Sequence, residues 1–119
     1  MLIKNLQHCP KFIAGDKTVL RELLHPDKMG VKCRYSLAHA TVIPKESSTP
    51  HALKTTEVYY ILEGEGVMHT GDESAKVCAG DMVYIPPDAR QFITNSSHSD
   101  LKFLCIVDPA WRPEDERVF

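Results

Sequence analysis

The residues best suited to chemistry in this sequence are a histidine and a carboxylate that lie close together in the chain. Glu57 begins the apolar segment 57–62, and a carboxylate at the start of a buried strand needs a partner. His51 precedes it by six residues and has the same parity, so both side chains point to one side of an extended segment. Such a pair can act as acid and base, with the imidazole oriented by the carboxylate. The alternative is a hydrogen-bonded pair that only satisfies Glu57.

Two further polar residues are expected beside this pair. Tyr59 shares the parity of Glu57 and is a third candidate catalytic residue, although a packed ring with its hydroxyl at the rim is the alternative. Gln91 would cost about 1–3 kcal/mol inside a barrel if its amide stayed unpaired, so we expect a metal ion, a water or a ligand to satisfy it. With Ile61 and Ile93 these side chains would line an apolar pocket, the usual form of a small-molecule site.

The elements that must position these residues are short strands. Turn-forming residues recur at short intervals, and between them are segments rich in Val, Ile, Tyr, Phe and Thr. A closed or stacked sheet protects its edges, so we predict an all-β sandwich or barrel. Segment 57–62 is apolar on both faces and is expected to be covered on both sides. The predicted strands are residues 18–24, 35–43, 57–62, 67–70, 75–77, 82–85, 91–94 and 101–107.

Size and charge exclude several classes of protein. A chain of 119 residues and 13.4 kDa is long enough for one core, so we predict a single domain. Fourteen basic residues against sixteen acidic ones give a net charge of −2, which does not favour nucleic-acid binding. No apolar run reaches the roughly 18 residues of a membrane span, and no signal peptide is visible, so we expect a cytoplasmic protein. The four cysteines form no C-x-x-C pair, which favours buried thiols over disulfides.

Two separated patterns resemble the motifs of the cupin superfamily, G-x5-H-x-H-x3-E-x6-G and G-x5-P-x-G-x2-H-x3-N. The residues that match are His51, Glu57, Gly64, Gly80, Pro86 and Asn95. Lys45 and Asp88 stand where the motifs have glycine, which bears on turn shape. The resemblance implies a jelly-roll barrel, the double-stranded β-helix, over the single domain 1–119. The barrel is expected at about 18–107, followed by an irregular tail at 108–119. Trp111 and Phe119 are expected to dock this tail onto the barrel or onto a second subunit.

The resemblance also implies a metal site, and two departures bear on it. Cupins that hold a metal use three histidines and the glutamate, but here Leu53 and Gln91 stand at two of the histidine positions. The ligands His51, Glu57 and Gln91 could still hold a divalent Fe, Mn, Ni, Cu or Zn ion with open positions. A fourth ligand could come from His39 or His69. The alternative for each is an exposed or hydrogen-bonded histidine that binds no metal.

Three functions remain open at this point. The first is a small-molecule-binding cupin that is a metal-dependent enzyme of the oxygenase, isomerase, decarboxylase or lyase type. The second is a metal-free, non-catalytic binding or sensor module, which Leu53 favours. The third is an oligomeric scaffold in which the polar residues are structural. A homodimer is predicted from the apolar segment 18–24, from the aromatic tail and from the resemblance, since cupins commonly pair.

Overall fold

Eleven strands make up about half of the chain, which a computed structural model describes from Met1 to Phe119. All eight predicted strands are present, with bounds that agree to within two residues. The strands are β1 (Phe12–Ile13), β2 (Val19–Leu24), β3 (Ser36–Val42), β4 (His51–Leu53), β5 (Thr56–Glu63), β6 (Glu65–Thr70), β7 (Glu73–Cys78), β8 (Met82–Ile85), β9 (Gln91–Thr94), β10 (Leu101–Asp108) and β11 (Glu116–Val118). The one α-helix, α1 (Pro26–Met29), has four residues, and no helix is long and apolar enough to cross a membrane.

The strands form two antiparallel sheets that pack face to face. One sheet has six strands in the order β1-β2-β3-β10-β5-β8, and the other has five in the order β11-β4-β9-β6-β7. Neighbouring strands such as β3 and β10 are far apart in the sequence, which is the jelly-roll arrangement. The predicted all-β jelly-roll fold is confirmed.

The core lies between the sheets and follows strand alternation. Along β10, Leu101, Phe103, Cys105 and Val107 are buried and point inward, while Ile106 is partly exposed on the other side. Burying a side chain such as Phe103 contributes about 2–3 kcal/mol relative to leaving it in water. Leu101, Phe103 and Cys105 thus belong to the core between the two sheets.

The outer face of the six-stranded sheet is uncovered. The expectation that β5 is covered on both sides is wrong, because Tyr60 and Leu62 remain exposed. The register places Tyr60 beside Met82, which extends this apolar surface across neighbouring strands. We call it the outer apolar face; its exposed members are Tyr60, Leu62, Met82, Tyr84 and Ile106.

The C-terminal tail is more regular than predicted. Residues 116–118 form β11, which pairs antiparallel with β4 at the edge of the five-stranded sheet. The backbone N–H of Trp111 donates to Ser36 Oγ at 2.9 Å, and the Trp111 carbonyl lies 2.7 Å from His25 Nε2. A strand of three residues is too short to show a hydrophobic pattern in the sequence. Pairing with β4 satisfies the backbone hydrogen-bonding groups of β11 and fixes the tail over one end of the barrel.

Candidate functional site

A cavity of about 270 Å³ opens at the end of the barrel that the tail covers. Its floor is the inner face of the six-stranded sheet, where Ala38, Ala40 and Phe103 supply apolar surface. The turn before β2, the strand β4 and the tail complete the wall. Twelve of the 21 lining residues are hydrophobic, so the few polar groups among them decide what chemistry the cavity offers.

His51 lies on β4 and is 3% exposed. Its Nδ1 lies 2.9 Å from the carbonyl oxygen of Thr49, and because a carbonyl only accepts, Nδ1 carries a proton. In the neutral ring Nε2 is therefore an acceptor, and it lies 3.7 Å from Asp16 Oδ2, beyond hydrogen-bond distance. His51 thus presents an unpartnered ring nitrogen to the cavity.

Glu57, Gln91 and Tyr59 form a buried hydrogen-bond chain between the two sheets. Gln91 Nε2 donates to Glu57 Oε1 at 3.0 Å, and the Tyr59 hydroxyl donates to Gln91 Oε1 at 3.1 Å. Protein groups therefore satisfy the Gln91 amide, and the expectation that a metal, water or ligand does so is wrong. Gln91 does not line the cavity, whereas Glu57 and Tyr59 do.

The second carboxylate oxygen of Glu57 faces the cavity. It accepts no hydrogen bond from the protein, and the only fully buried side-chain polar atom without a partner is Thr55 Oγ1. Burial raises the pKa of Glu57 to about 8, assisted by the nearby carboxylates of Asp16 and Glu116 and opposed by the Gln91 hydrogen bond. Glu57 is therefore mostly a neutral acid at pH 7.

Tyr59 is a packed aromatic rather than a free acid. Its ring lies 4.5 Å from that of Phe103, and its hydroxyl is committed to Gln91. Burial and the charge of Glu57 raise the pKa of Tyr59 well above its ordinary value. The hydroxyl serves mainly to hold Gln91, and through it Glu57, in place.

Three cavity residues were missed in the sequence. Asp16 lies in a turn for which the sequence indicated no role beyond connecting strands. Its Oδ1 accepts hydrogen bonds from the backbone N–H and the hydroxyl of Thr18. Glu116 and Trp111 lie in the tail, where Trp111 Nε1 donates to Glu116 Oε2 at 3.1 Å. Burial raises the pKa of Glu116. The aromatic and acidic residues of the tail were the available signal, but only the β11–β4 pairing brings them to the cavity.

The two histidines considered as a fourth ligand lie elsewhere. Along β3 the alternate residues Ala38 and Ala40 face the cavity, which places His39 on the opposite face. Burial and the charges of Lys102 and Arg21 lower the pKa of His39. His69 stacks on Phe92 with ring centroids 4.1 Å apart and is not part of the cavity wall. The expectation that His39 or His69 reaches the cavity is wrong. The expectation that Ile61 and Ile93 line the cavity is also wrong, because both lie in the hydrophobic core.

The donor set does not fit a resident transition metal. Leu53 lines the cavity at a histidine position of the cupin motif and cannot bind a metal, and the Gln91 oxygen already accepts from Tyr59. No group of three or more His, Cys, Asp or Glu side chains is arranged to hold one ion. His51 and Glu57 alone are too few ligands for the closed or open sites that these metals adopt in proteins.

The fold and cavity define a class, the small jelly-roll barrels with a polar pocket at one end. The cupin-domain family model matches residues 38–107, which contain both motifs, and the chain belongs to the cupin family. It is 40% identical over 109 residues to the uncharacterized protein MJ1618 of Methanocaldococcus jannaschii, a match that covers 90% of this chain and 86% of the relative.

Solved structures share the fold at lower identity. A predicted oxalate decarboxylase of Thermotoga maritima has a TM-score of 0.79 and 24% identity, with 91% of this chain and 99% of that chain covered. The polyketide cyclase RemF of Streptomyces resistomycificus has a TM-score of 0.81 and 21% identity, with 95% and 82% covered. These proteins establish that the architecture is shared and leave chemistry to the site.

Proposed function

We propose that this cupin binds a small organic molecule in the cavity without a metal ion. The observation that carries the proposal is an apolar cavity lined by two polar atoms that make no hydrogen bond to the protein, His51 Nε2 and the second oxygen of Glu57. His51 Nε2 lies 3.7 Å from Asp16 Oδ2. A ligand that hydrogen-bonds to these atoms stabilises the folded state by mass action. The family's metal positions support the metal-free form because Leu53 and Gln91 occupy two of them.

A second candidate function is acid–base catalysis in the same cavity. Glu57 is a buried acid with a pKa of about 8, and His51 Nε2 makes no hydrogen bond to the protein and can accept a proton. An acid and a base of this kind suit proton transfers of the isomerase or lyase type near neutral pH. The polyketide cyclase among the solved structures is a relative in fold only and does not identify a substrate.

A ligand screen tests the proposal. Tag-free protein is first analysed for bound metals, and we expect no stoichiometric Fe, Mn, Ni, Cu or Zn. A library of small molecules is then screened for a rise in Tm, because a ligand of the folded state stabilises it by mass action. Trp111 is the only tryptophan and lines the cavity, so true cavity ligands should also change its fluorescence.

The variant His51→Ala should abolish the Tm rise, whereas the matched control His98→Ala, at an exposed loop position, should keep it. Stoichiometric metal that is lost in His51→Ala would replace this proposal with the metal-dependent one. Failure of every compound, with no metal, would leave the scaffold interpretation.

We further propose that the protein is a cytoplasmic homodimer. All four cysteines are free, which suits a reducing compartment. The outer apolar face supports pairing, because contiguous exposed apolar surface on a folded protein usually marks an interface.

A further inference from the structure

The charges in the cavity wall are nearly all of one sign. Four carboxyl groups line it: Glu22 at the rim, and three without a lysine or arginine partner, namely Asp16 before β2, Glu57 on β5 and Glu116 on β11. The only lysine or arginine in the wall is Lys28, which is paired with Glu22 at 2.8 Å and is largely exposed at the rim. No cationic side chain is therefore free to meet an anionic ligand in the cavity.

Several hydrogen-bonding groups of the wall are already occupied. Trp111 Nε1 donates to Glu116, the Tyr59 hydroxyl donates to Gln91, and His51 Nδ1 donates to Thr49. The atoms left without a hydrogen bond include His51 Nε2 and one oxygen of Glu57, and both belong to side chains more than nine-tenths buried. In the neutral acid this oxygen can carry the proton, whereas in the ionised form it is an acceptor. A ligand that donates and carries positive charge therefore suits the cavity with Glu57 ionised.

The remaining wall is apolar and partly aromatic. Phe103 and Val107 line it from the six-stranded sheet and Leu53 from the five-stranded sheet, and the half-buried indole of Trp111 lies by the carboxylate of Glu116. An aromatic face beside a carboxylate attracts a cation both through the ring quadrupole and through charge. The volume of about 270 Å³ suits a ligand with a compact apolar body.

We infer that the cavity selects small molecules that carry a cationic amine on an apolar body, and that it rejects carboxylates of the same shape. The inference rests on the proposed function, because it assigns a ligand class to the same cavity. The ammonium group donates to Glu57 and His51, and the carboxylates of Asp16 and Glu116 balance its charge. The apolar body packs on the wall formed by Phe103, Leu53 and Val107.

Proton release should accompany binding. Glu57 is mostly neutral at pH 7, and an ammonium ion beside it favours the carboxylate, so binding expels a proton. The titratable and polar groups that face or adjoin Glu57 from the packed elements are Asp16, His51, Tyr59, Gln91, Cys105 and Glu116. None of them is a lysine or arginine that would cancel the effect.

Three probes of one shape test the inference, namely benzylamine, benzyl alcohol and benzoate. Binding to the intact protein is followed at pH 7 and low salt by NMR chemical shifts of cavity residues, up to millimolar concentrations. We expect benzylamine to bind at least tenfold more tightly than benzoate, with benzyl alcohol between them. Calorimetry in two buffers of different ionisation enthalpy should show proton release for benzylamine in the natural protein and none in Glu57→Gln.

Charge variants provide the matched controls. Asp16→Asn and Glu116→Gln keep their hydrogen-bond acceptors but lose charge, so each should weaken benzylamine about five- to tenfold and leave benzyl alcohol within twofold. Glu114→Gln, an exposed carboxylate of the same tail, should change neither. Benzoate binding as tightly as benzylamine, or no binding of benzylamine, overturns the inference. The library screen judges the proposed function separately, since any other cavity ligand would preserve it.

Discussion

At the scale of single residues, Glu57 has the most unusual environment in the protein. It is 7% exposed, accepts one hydrogen bond from Gln91, and shares its surroundings with two other carboxyl groups. Removal of water raises its pKa to about 8 because the hydrogen bond from Gln91 compensates only in part. The cavity therefore holds a proton that the unfolded chain would release near pH 4.5.

The pH dependence of stability follows from this proton. Since the folded pKa lies above the unfolded one, the contribution of Glu57 is fully present below about pH 4.5 and is lost as the pH rises to about 8. Each pKa unit corresponds to about 1.4 kcal/mol, so the loss amounts to a few kcal/mol at most. Urea unfolding at pH 5, 7 and 9 should show stability falling with pH in the natural protein and a flatter profile in Glu57→Gln. An equal slope in both proteins would contradict the assigned pKa.

Two other residues account for the missing metal ligands. Replacing both, in Leu53→His/Gln91→His, restores the four-ligand pattern of the cupin motif with His51 and Glu57. We expect this double variant to bind about one equivalent of Zn²⁺ or Mn²⁺ after dialysis, measured by elemental analysis, and the natural protein to bind none. The single variant Gln91→His is the control and should bind weakly, because Leu53 still occupies one position. Tight binding by the unaltered protein would show that the present donor set suffices.

At the scale of elements, two turns contain a strained residue at a glycine position of the motif. Lys45 and Asp88 have φ values of 68° and 66°, in the left-handed region that disfavours residues with a Cβ. Each turn is held by the backbone, since Lys45 N–H donates to Asn95 and Asp88 N–H donates to Leu53. The turns thus connect the strands that carry His51 and Gln91 at a small cost in strain.

Relieving this strain should stabilise the protein. Asp88 is exposed and its side chain makes no hydrogen bond. Relief of strain in Asp88→Gly is expected to raise the free energy of unfolding by about 0.5–1 kcal/mol, and the greater conformational entropy of glycine in the unfolded chain offsets part of this gain. Urea titration measures the difference. Asp72→Gly, at an exposed turn position without positive φ, is the control and should be neutral or destabilising. A loss of stability in Asp88→Gly would show that the turn does not store the strain assigned to it.

The tail is the element that completes the cavity. Its strand β11 adds to the edge of the five-stranded sheet and brings Glu116 beside the ring nitrogen of Trp111. The loop before it is fixed by hydrogen bonds to Ser36 and His25. A closed cavity with three carboxyl groups that lack a lysine or arginine partner exists only because this short strand pairs with β4.

At the scale of the whole molecule, the outer apolar face predicts self-association. Sedimentation at micromolar concentration should give a dimer, because covering Tyr60, Met82 and Tyr84 removes apolar surface from water. The variants Tyr60→Lys and Tyr84→Lys should sediment as monomers with an unchanged circular dichroism spectrum. Ser74→Lys, on an exposed strand of the other sheet, is the control and should remain dimeric. A monomeric natural protein would refute the proposal.

The fold itself could be predicted from local signals. Strand alternation and the spacing of turn residues depend on neighbours in the chain, so they located the eight main strands and an all-β sandwich or barrel. The resemblance of two motifs to those of cupins added the jelly-roll class. The short strands β1, β4 and β11 were not predicted because two or three residues carry no periodic pattern. In addition, β4 and β11 pair with each other across more than sixty residues of sequence. His51 and Glu57 do line one cavity, but they do so from strands of different sheets, β4 and β5, so their shared parity along an extended segment is not what brings them together.

The sequence alone determined where the eight main strands form, because alternation and turn chemistry act over a few residues. Only the packing of the two sheets brought His51 and Glu57 to one cavity. Only the tertiary structure decided that the Gln91 amide hydrogen-bonds to Glu57 and Tyr59. It also decided that His39 lies on the face away from the cavity and that Asp16 and Glu116 line the cavity wall. Parity shows which residues share a face but not which face is inward, and contacts between a turn, a tail and a barrel arise only when the sheets close.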